Sequence, residues 1–205
     1  MRYCCHVAAA LLLAALATQA SAQLYKCKDG RGEMAYSDMP CARAGKLGEP
    51  RRTNVPAAAQ VGDGKLTQSA VTKVIQHAAA LVVRSDYQAQ CALAAPDLSF
   101  TATDQSSAPP LVVSGGRSEL CALQRDAARA LEANKGRASP KLDKLTVSLN
   151  ADSTQASAKY DIITTITQQG RAVMVQRCAR EDQFAVYGRQ ILYSPVSSTC
   201  RSAEI

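Results

Sequence analysis

From Lys141 to Thr199 the sequence breaks into four extended stretches, "KLDKLTVSLN", "QASAKYDIITTITQQ", "RAVMVQRCAREDQFAVYG" and "RQILYSPVSST". The segments "NADS", "QQGR" and "YGRQ" separate them as turns. Alternating apolar and polar positions, closed off by Gly, Asn and Asp, mark strands that bury one face. A four-strand antiparallel meander is therefore expected, and such a sheet needs something to cover its apolar face.

The residues ahead of the meander follow a different period. Val71, Val74, Ile75, Ala78 and Val82 recur at helical spacing, with Ser69 as the expected N-cap. The stretch "SDYQAQCALAAPD" reads as a short second helix, capped by Ser85 or Asp86 and stopped at Pro96. "LSFTAT" is short and extended, and "SAPPLVVSGG" reads as a loop around a brief apolar run. "RSELCALQRDAARALEANKG" reads as a third helix. It places Leu120, Leu123, Ala127 and Leu131 on or near one face, with Gly136 as terminator. Helices followed by a sheet is the order of an α+β domain with helices on one sheet face. Residues 66–205 are long enough to form one such domain with its own core.

The chain of 205 residues opens with "MRYCCHVAAALLLAALATQASAQ". Arg2 supplies a positive start, Val7 to Ala17 an apolar core, and Ala20 to Ala22 the small residues that signal peptidase needs. The apolar run is too short to cross a bilayer. Residues 1–22 are expected to be a cleaved signal peptide, with a mature start at Gln23 outside the cytoplasm. Cleavage would leave Cys27, Cys41, Cys91, Cys121, Cys178 and Cys200. An even number of cysteines in an exported chain favours disulfides over metal binding or catalysis. No C-x-x-C spacing occurs, which removes the usual redox motif and most zinc-finger patterns. Six cysteines allow fifteen connectivities, so their number alone does not fix the pairing.

Cys27 and Cys41 bracket a small hairpin. Leu24 to Lys28 alternates, "DGRG" supplies a turn, and Glu33 to Tyr36 returns before Pro40 ends the ladder. A lone hairpin is marginal in water. A Cys27–Cys41 bridge would contribute roughly 3 kcal/mol by restricting the unfolded chain. The pattern Tyr25-Lys-Cys27-x-Asp29-x-x-Gly32-x-x-x-Tyr36-Ser37-Asp38-x-Pro40-Cys41 resembles the bacterial exported domain of unknown function 4124. Met34 departs slightly, standing where a β-branched residue is usual. The resemblance implies a β-rich module, residues 23–41, exported in a Gram-negative bacterium. It carries no established activity, so no functional residue is transferred. Residues 42–65 are rich in Gly, Pro and Ala, hold no apolar period and read as a linker.

Residues 66–205 resemble the nuclear-transport-factor-2-like (NTF2-like, SnoaL-like) superfamily. "SDYQAQCALAAPDLSFTAT" is similar to that family's short second helix running into a strand, and "SGGRSEL" to its entry into the third helix. The resemblance implies a curved antiparallel sheet wrapped with three helices into a cone, often with a pocket inside. Some members are enzymes and others only bind ligands or partners. The chain order also suggests pairings. Cys178 and Cys200 flank a hairpin about Gly188 at nearly matched distances, and Cys91 and Cys121 fall on adjacent helices. The expected set is Cys27–Cys41, Cys91–Cys121 and Cys178–Cys200.

Composition narrows the function classes. Without Arg2 the formal net charge of +7 becomes +6. That balance suits ordinary solubility, or attraction to anionic envelope surfaces. Basic residues are scattered, and with no Trp and two Phe the chain is a poor stacking platform for nucleic acid. His77 is the one histidine after the leader and reads as a helix-surface or half-buried residue, so a multi-histidine metal site is excluded. "DGRG" lacks the third glycine and the helix of a nucleotide loop. Ser139 with Lys141, and Ser157 with Lys159, are ordinary strand neighbours. No catalytic, metal-ligating or cofactor-binding residue is assigned.

Four residues are candidates for a pocket. Asp97 follows Pro96 at a helix end, where an Asp usually satisfies local backbone donors. Asp161 shares a strand face with Ile163 and Thr165. Facing inward it would be a general-base candidate, and facing outward a solvated charge. Tyr187 and Tyr193 lie near the last turn, at a pocket mouth or in rim packing. The reading that follows is a non-catalytic exported protein, periplasmic or secreted, that binds a partner protein or envelope component. A small-molecule binder or cryptic enzyme using the cone pocket is the alternative. A homodimer through an exposed sheet face is a further expectation.

Overall fold

The computed structural model describes residues 25–28, 34–37 and 64–205. The backbone divides into two units, Met1–Arg52 and Thr53–Ile205. In the first, β1 (Tyr25–Lys28) pairs antiparallel with β2 (Met34–Ser37), with Cys27 opposite Ala35. The expected Cys27–Cys41 bridge, the turn at 29–33, the signal peptide and nearly all of the expected linker lie outside the described residues.

The second unit is a mixed α+β domain. It runs α1 (Gln68–Val83), α2 (Tyr87–Ala92), β3 (Ser99–Asp104), β4 (Leu111–Gly116), α3 (Arg117–Ala133), then β5 (Gly136–Leu149), β6 (Gln155–Gln168), β7 (Arg171–Tyr187) and β8 (Gln190–Glu204). One six-stranded sheet has the order β4-β3-β8-β7-β6-β5. The meander β5 to β8 is antiparallel throughout, as its turns require. The sheet is wider than a four-strand meander. β3 adds parallel to β8, and β4 adds antiparallel to β3. The "LVV" run is thus a strand and not a loop. Three apolar residues are too short a run to show a period, and pairing with β3 makes the strand.

Local sequence accounts for the helix ends. Thr67, in extended conformation, accepts from the Ala70 amide at 3.1 Å and caps α1, where Ser69 was expected. Ser69 lies inside the first turn, so its backbone is already helical and the cap falls two residues earlier. Asp86 caps α2 through the Ala89 amide at 3.0 Å. α3 closes on Asn134, whose side chain donates to the Ala130 carbonyl at 2.8 Å, and on Lys135 with φ 49°. Gly136, the expected terminator, instead opens β5. A Cβ there would stand 3.2 Å from Leu131 Cδ2 and 3.3 Å from the Thr167 carbonyl oxygen. The space between α3 and β6, not a left-handed turn, calls for glycine.

Two bulges bring side chains to the helix-covered face. β5 slips between Asp143 and Thr146, with Lys144 at φ 53°. Leu142 on one side and Leu145, Val147 and Leu149 on the other therefore all pack on the core. β8 slips opposite Asp182 and Phe184, beside Pro195. Val196 keeps one parity and Tyr193 the other, yet both turn inward. Val71, Val74, Ile75 and Leu81 of α1 pack with Ala156, Ala158, Tyr160, Phe184 and Ile191. A second cluster, around Ala94, Leu98, Phe100, Leu192 and Val196, seats the chain after α2.

α3 buries no residue fully. Leu123, expected on its inner face, is 45% exposed, and Ala127 is exposed too. The covered stripe runs instead through Leu120, Gln124 and Leu131. A disulfide joins Cys91 of α2 to Cys121 of α3, and another joins Cys178 of β7 to the directly opposed Cys200 of β8. Both closed loops, of 30 and 22 residues, are long enough to contribute roughly 3–4 kcal/mol in the chain-entropy model. Replacing Cys91 and Cys121 together with Ser is expected to lower the urea midpoint and to loosen α3 first. Amide hydrogen exchange along α3 measures that loosening against the sheet.

Candidate functional site

The helices and the inner sheet face enclose a cavity of about 100 Å³, partly open to solvent. Its wall is mostly aliphatic, from Ile75, Ala78 and Val82 of α1, Leu93 after α2, Leu120 of α3, and Leu142 and Ile162 of the sheet. Five polar residues face the same space: Gln90, Gln124, Tyr160, Arg180 and Tyr193.

β6 and β7 set the centre of this arrangement. Their register puts Tyr160 opposite Arg180 and Ala158 opposite Asp182. Residues two apart on a strand share a face, so Arg180, Asp182 and Phe184 all point inward. Asp182 is fully buried. Its Oδ2 accepts from the Tyr160 hydroxyl at 2.5 Å, and its Oδ1 from Arg180 Nη2 at 3.1 Å and Nε at 3.4 Å. The Arg180 guanidinium also stands 5.7 Å from the Tyr160 ring centroid. The small side chains of Ala156 and Ala158 on the neighbouring strand leave room for Phe184 and for the carboxylate.

Backbone clamps hold Tyr193 in place. Its N–H donates to the Leu93 carbonyl at 2.8 Å, and its carbonyl accepts from the Ala95 amide at 2.8 Å. Its ring packs on Phe184 with centroids 4.6 Å apart, a tilted pair across β7 and β8. The chain leaving α2 and the start of β8 are therefore joined at the residue that lines the cavity.

Burial, more than any neighbour, pushes both cavity phenols well above the ordinary tyrosine range. Tyr160 and Tyr193 stay neutral and act as hydroxyl groups. Burial alone would lower the Arg180 guanidinium, but the Asp182 carboxylate beside it opposes that and the group is held charged. Gln124 contributes a different feature. Its Oε1 is the one buried side-chain N or O atom without a hydrogen-bond partner among the described residues. The wall can therefore donate from the guanidinium N–H groups that Asp182 leaves free and accept at an unmet amide carbonyl, within an apolar shell.

Of the four residues singled out from sequence, Tyr193 lies on this wall. Asp97 is exposed and accepts a short hydrogen bond from the Tyr187 hydroxyl, which ties the turn after α2 to the end of β7. That bond is the main reason the Tyr187 phenol is raised. Asp161 points to the opposite sheet face from Tyr160, 38% exposed, with Lys144 Nζ at 3.0 Å. The inward carboxylate of this sheet is Asp182, one strand over. Gln90, Gln124, Tyr160, Arg180 and Asp182 join the site only in the folded structure. A charged pair at inward positions of β7 and a polar residue within the α3 stripe were the available signals. His77 is half-buried on α1 and does not line the cavity. Among the described residues no group of three or more His, Cys, Asp or Glu is placed to hold a metal. Nor is any helix among them long and apolar enough to cross a membrane.

The buried pair can be tested directly. Asp182→Ala strands the half-buried Arg180 charge and is expected to cost about 3 kcal/mol or more in urea unfolding. Arg180→Met combined with Asp182→Leu should recover most of that loss, because a buried pair replaced by apolar groups leaves no orphan charge. His77 supplies a pH dependence. Burial first, then the Arg84 charge, lowers its imidazole below 6.5, against a smaller opposing effect of Asp86. The fold thus favours the neutral ring. Its contribution is complete above 6.5 and is lost as pH falls from there through the lower folded value. An NMR titration should give a midpoint below 6.5, and His77→Gln should flatten the stability profile on the acid side of that value.

Comparison with known proteins separates the two units. Residues 11–63 match the family model described as Domain of unknown function (DUF4124). The match runs wider than the hairpin, taking in part of the apolar leader and most of the expected linker. No curated protein matches the chain. Among solved structures, Aln2 from a Streptomyces species is 19% identical, with a TM-score of 0.51 over 63% of this chain and 86% of its own. A chain of naphthalene 1,2-dioxygenase is 14% identical, with a TM-score of 0.52 over 62% of this chain and 75% of its own. An NTF2-like protein with a cystatin-like fold from Novosphingobium aromaticivorans is 18% identical, with a TM-score of 0.48 over 63% of this chain and 78% of its own. Identities this low concern the fold alone. Residues 11–63 thus match DUF4124, and the C-terminal part shares its fold with Aln2 and with a chain of naphthalene 1,2-dioxygenase.

Proposed function

We propose that this is an exported binding protein whose α+β domain holds a small molecule inside a cone of three helices and a curved sheet, without turning it over. The observation that carries the reading is the convergence on one cavity of Tyr160, Arg180, Tyr193 and an unsatisfied Gln124 carbonyl. Buried polar groups are seldom left unmet, and each demands an explanation. A partly open apolar cavity with a few aimed polar groups is the common form of a ligand site.

The titratable groups on the wall support binding over catalysis. Both phenols are raised and the guanidinium is held charged, so these three do not exchange protons near neutral pH. The nearby carboxylate, Asp182, has both oxygens engaged by Tyr160 and Arg180. Export is in keeping with the two disulfides and with the DUF4124 match, and the periplasm is the compartment we assign. In this scheme the N-terminal module, residues 23–41, docks on a partner protein or envelope component and residues 42–65 link it to the domain.

Native mass spectrometry of the protein purified from its own envelope fraction tests the proposal. An added mass that leaves on denaturation is expected, and Ala78→Phe, which fills the cavity from α1, should abolish it. A bare mass for the unaltered protein, or an adduct that survives Ala78→Phe, overturns the reading.

A further inference from the structure

We infer that the ligand of this cavity is an uncharged molecule of about six to eight heavy atoms with an apolar body and a hydroxyl or N–H donor for the Gln124 carbonyl. This rests on the binding function proposed above and specifies the chemistry of what is bound.

Charge sets the first limit. Arg180 is the one cationic residue on the cavity wall, and Asp182 already takes up its guanidinium through contacts of 3.1 and 3.4 Å. The cluster is neutral as it stands. An anionic ligand would have to compete with a fully buried carboxylate for the same cation. A cationic ligand would find no carboxylate on the wall. Either leaves a charge buried without a partner, which is the most costly arrangement in an apolar site.

Hydrogen bonding sets the second. Gln124 Oε1 can only accept, and nothing in the protein donates to it. A ligand without a donor would seal that carbonyl from water and leave it unmet. A water could serve the carbonyl, but it would leave the aliphatic part of the wall facing water. A molecule with one donor and an apolar body meets both demands.

Size sets the third. The cavity of about 100 Å³ is smaller than the roughly 150 Å³ that admits benzene in an engineered apolar cavity, and its open side allows a modest extension. One ring, or an acyclic chain of similar bulk, fills this space and reaches into its open side.

Three probes test the charge and donor limits in NMR titrations of the mature, disulfide-bonded protein. Phenol carries the donor, toluene has the same heavy-atom count without it, and benzoate carries a negative charge. Phenol is expected to bind about tenfold more tightly than toluene, with benzoate weakest. Gln124→Leu should bring phenol down to the level of toluene while toluene itself stays within about twofold. Since Gln124 sits on a helix that buries no residue fully, this variant is expected to fold. Equal binding of phenol and toluene, or a phenol preference that persists in Gln124→Leu, overturns the donor requirement. Benzoate binding tightest overturns the charge limit. Either result leaves the cavity as a binding site. Failure of all three probes to shift cavity resonances would instead remove the binding function itself.

Discussion

The contact on which most of this domain depends is the one between Asp182 and its two partners. A fully buried carboxylate is tolerable only if its oxygens are matched, and Tyr160 and Arg180 match them from the same sheet. That requirement reaches outward. β6 and β7 must pair in the observed register, or the phenol and the guanidinium no longer meet the carboxylate. The alanines opposite must stay small. The helices must stop short of the polar cluster, and the space left over is the cavity. The apolar wall and the polar wall are thus two sides of one constraint.

Around this centre the helices are fastened by links of different kinds. α1 buries four aliphatic residues and holds by packing. The chain leaving α2 holds by two backbone hydrogen bonds to Tyr193. α3 buries no residue fully and depends on the Cys91–Cys121 bond and on half-buried Leu120 and Leu131. The element that presents the unmet carbonyl is therefore less committed to the core than α1. Stability and adjustability are divided between α1 and α3.

Much of the architecture was legible in the residues. The meander followed from its turns, the α1 stripe from its period, and both described disulfides from their places in that order. What escaped did so for physical reasons. "LVV" is too short to show a period, and β3 makes it a strand. Thr67 caps α1 through a backbone conformation that spacing alone does not report. The inner face of β7 was obscured because Arg180 and Asp182 look like solvent-facing residues until their partner across the sheet is known. Asp161 drew attention as a possible inward carboxylate, while the inward one lay in the next strand. Gln124 is hidden in sequence because a polar residue in an apolar stripe resembles a gap in it. Tyr193 could be named as a candidate from its place near the turn, but the bulge that turns it inward is a tertiary feature.

The bond between Cys178 and Cys200 joins residues that face each other directly, on the strand that carries Arg180 and Asp182. A strand shifted by one position would present its other face, sending the charged pair to solvent and Arg177, Ala179 and Glu181 into the core. Hydrogen bonds alone distinguish such arrangements weakly, since a slipped ladder pairs nearly as many amides. A covalent link between opposed residues admits no such slip near it. The disulfide therefore acts as a parity check on the sheet, and the oxidation that forms it becomes part of what decides which side chains face the cavity.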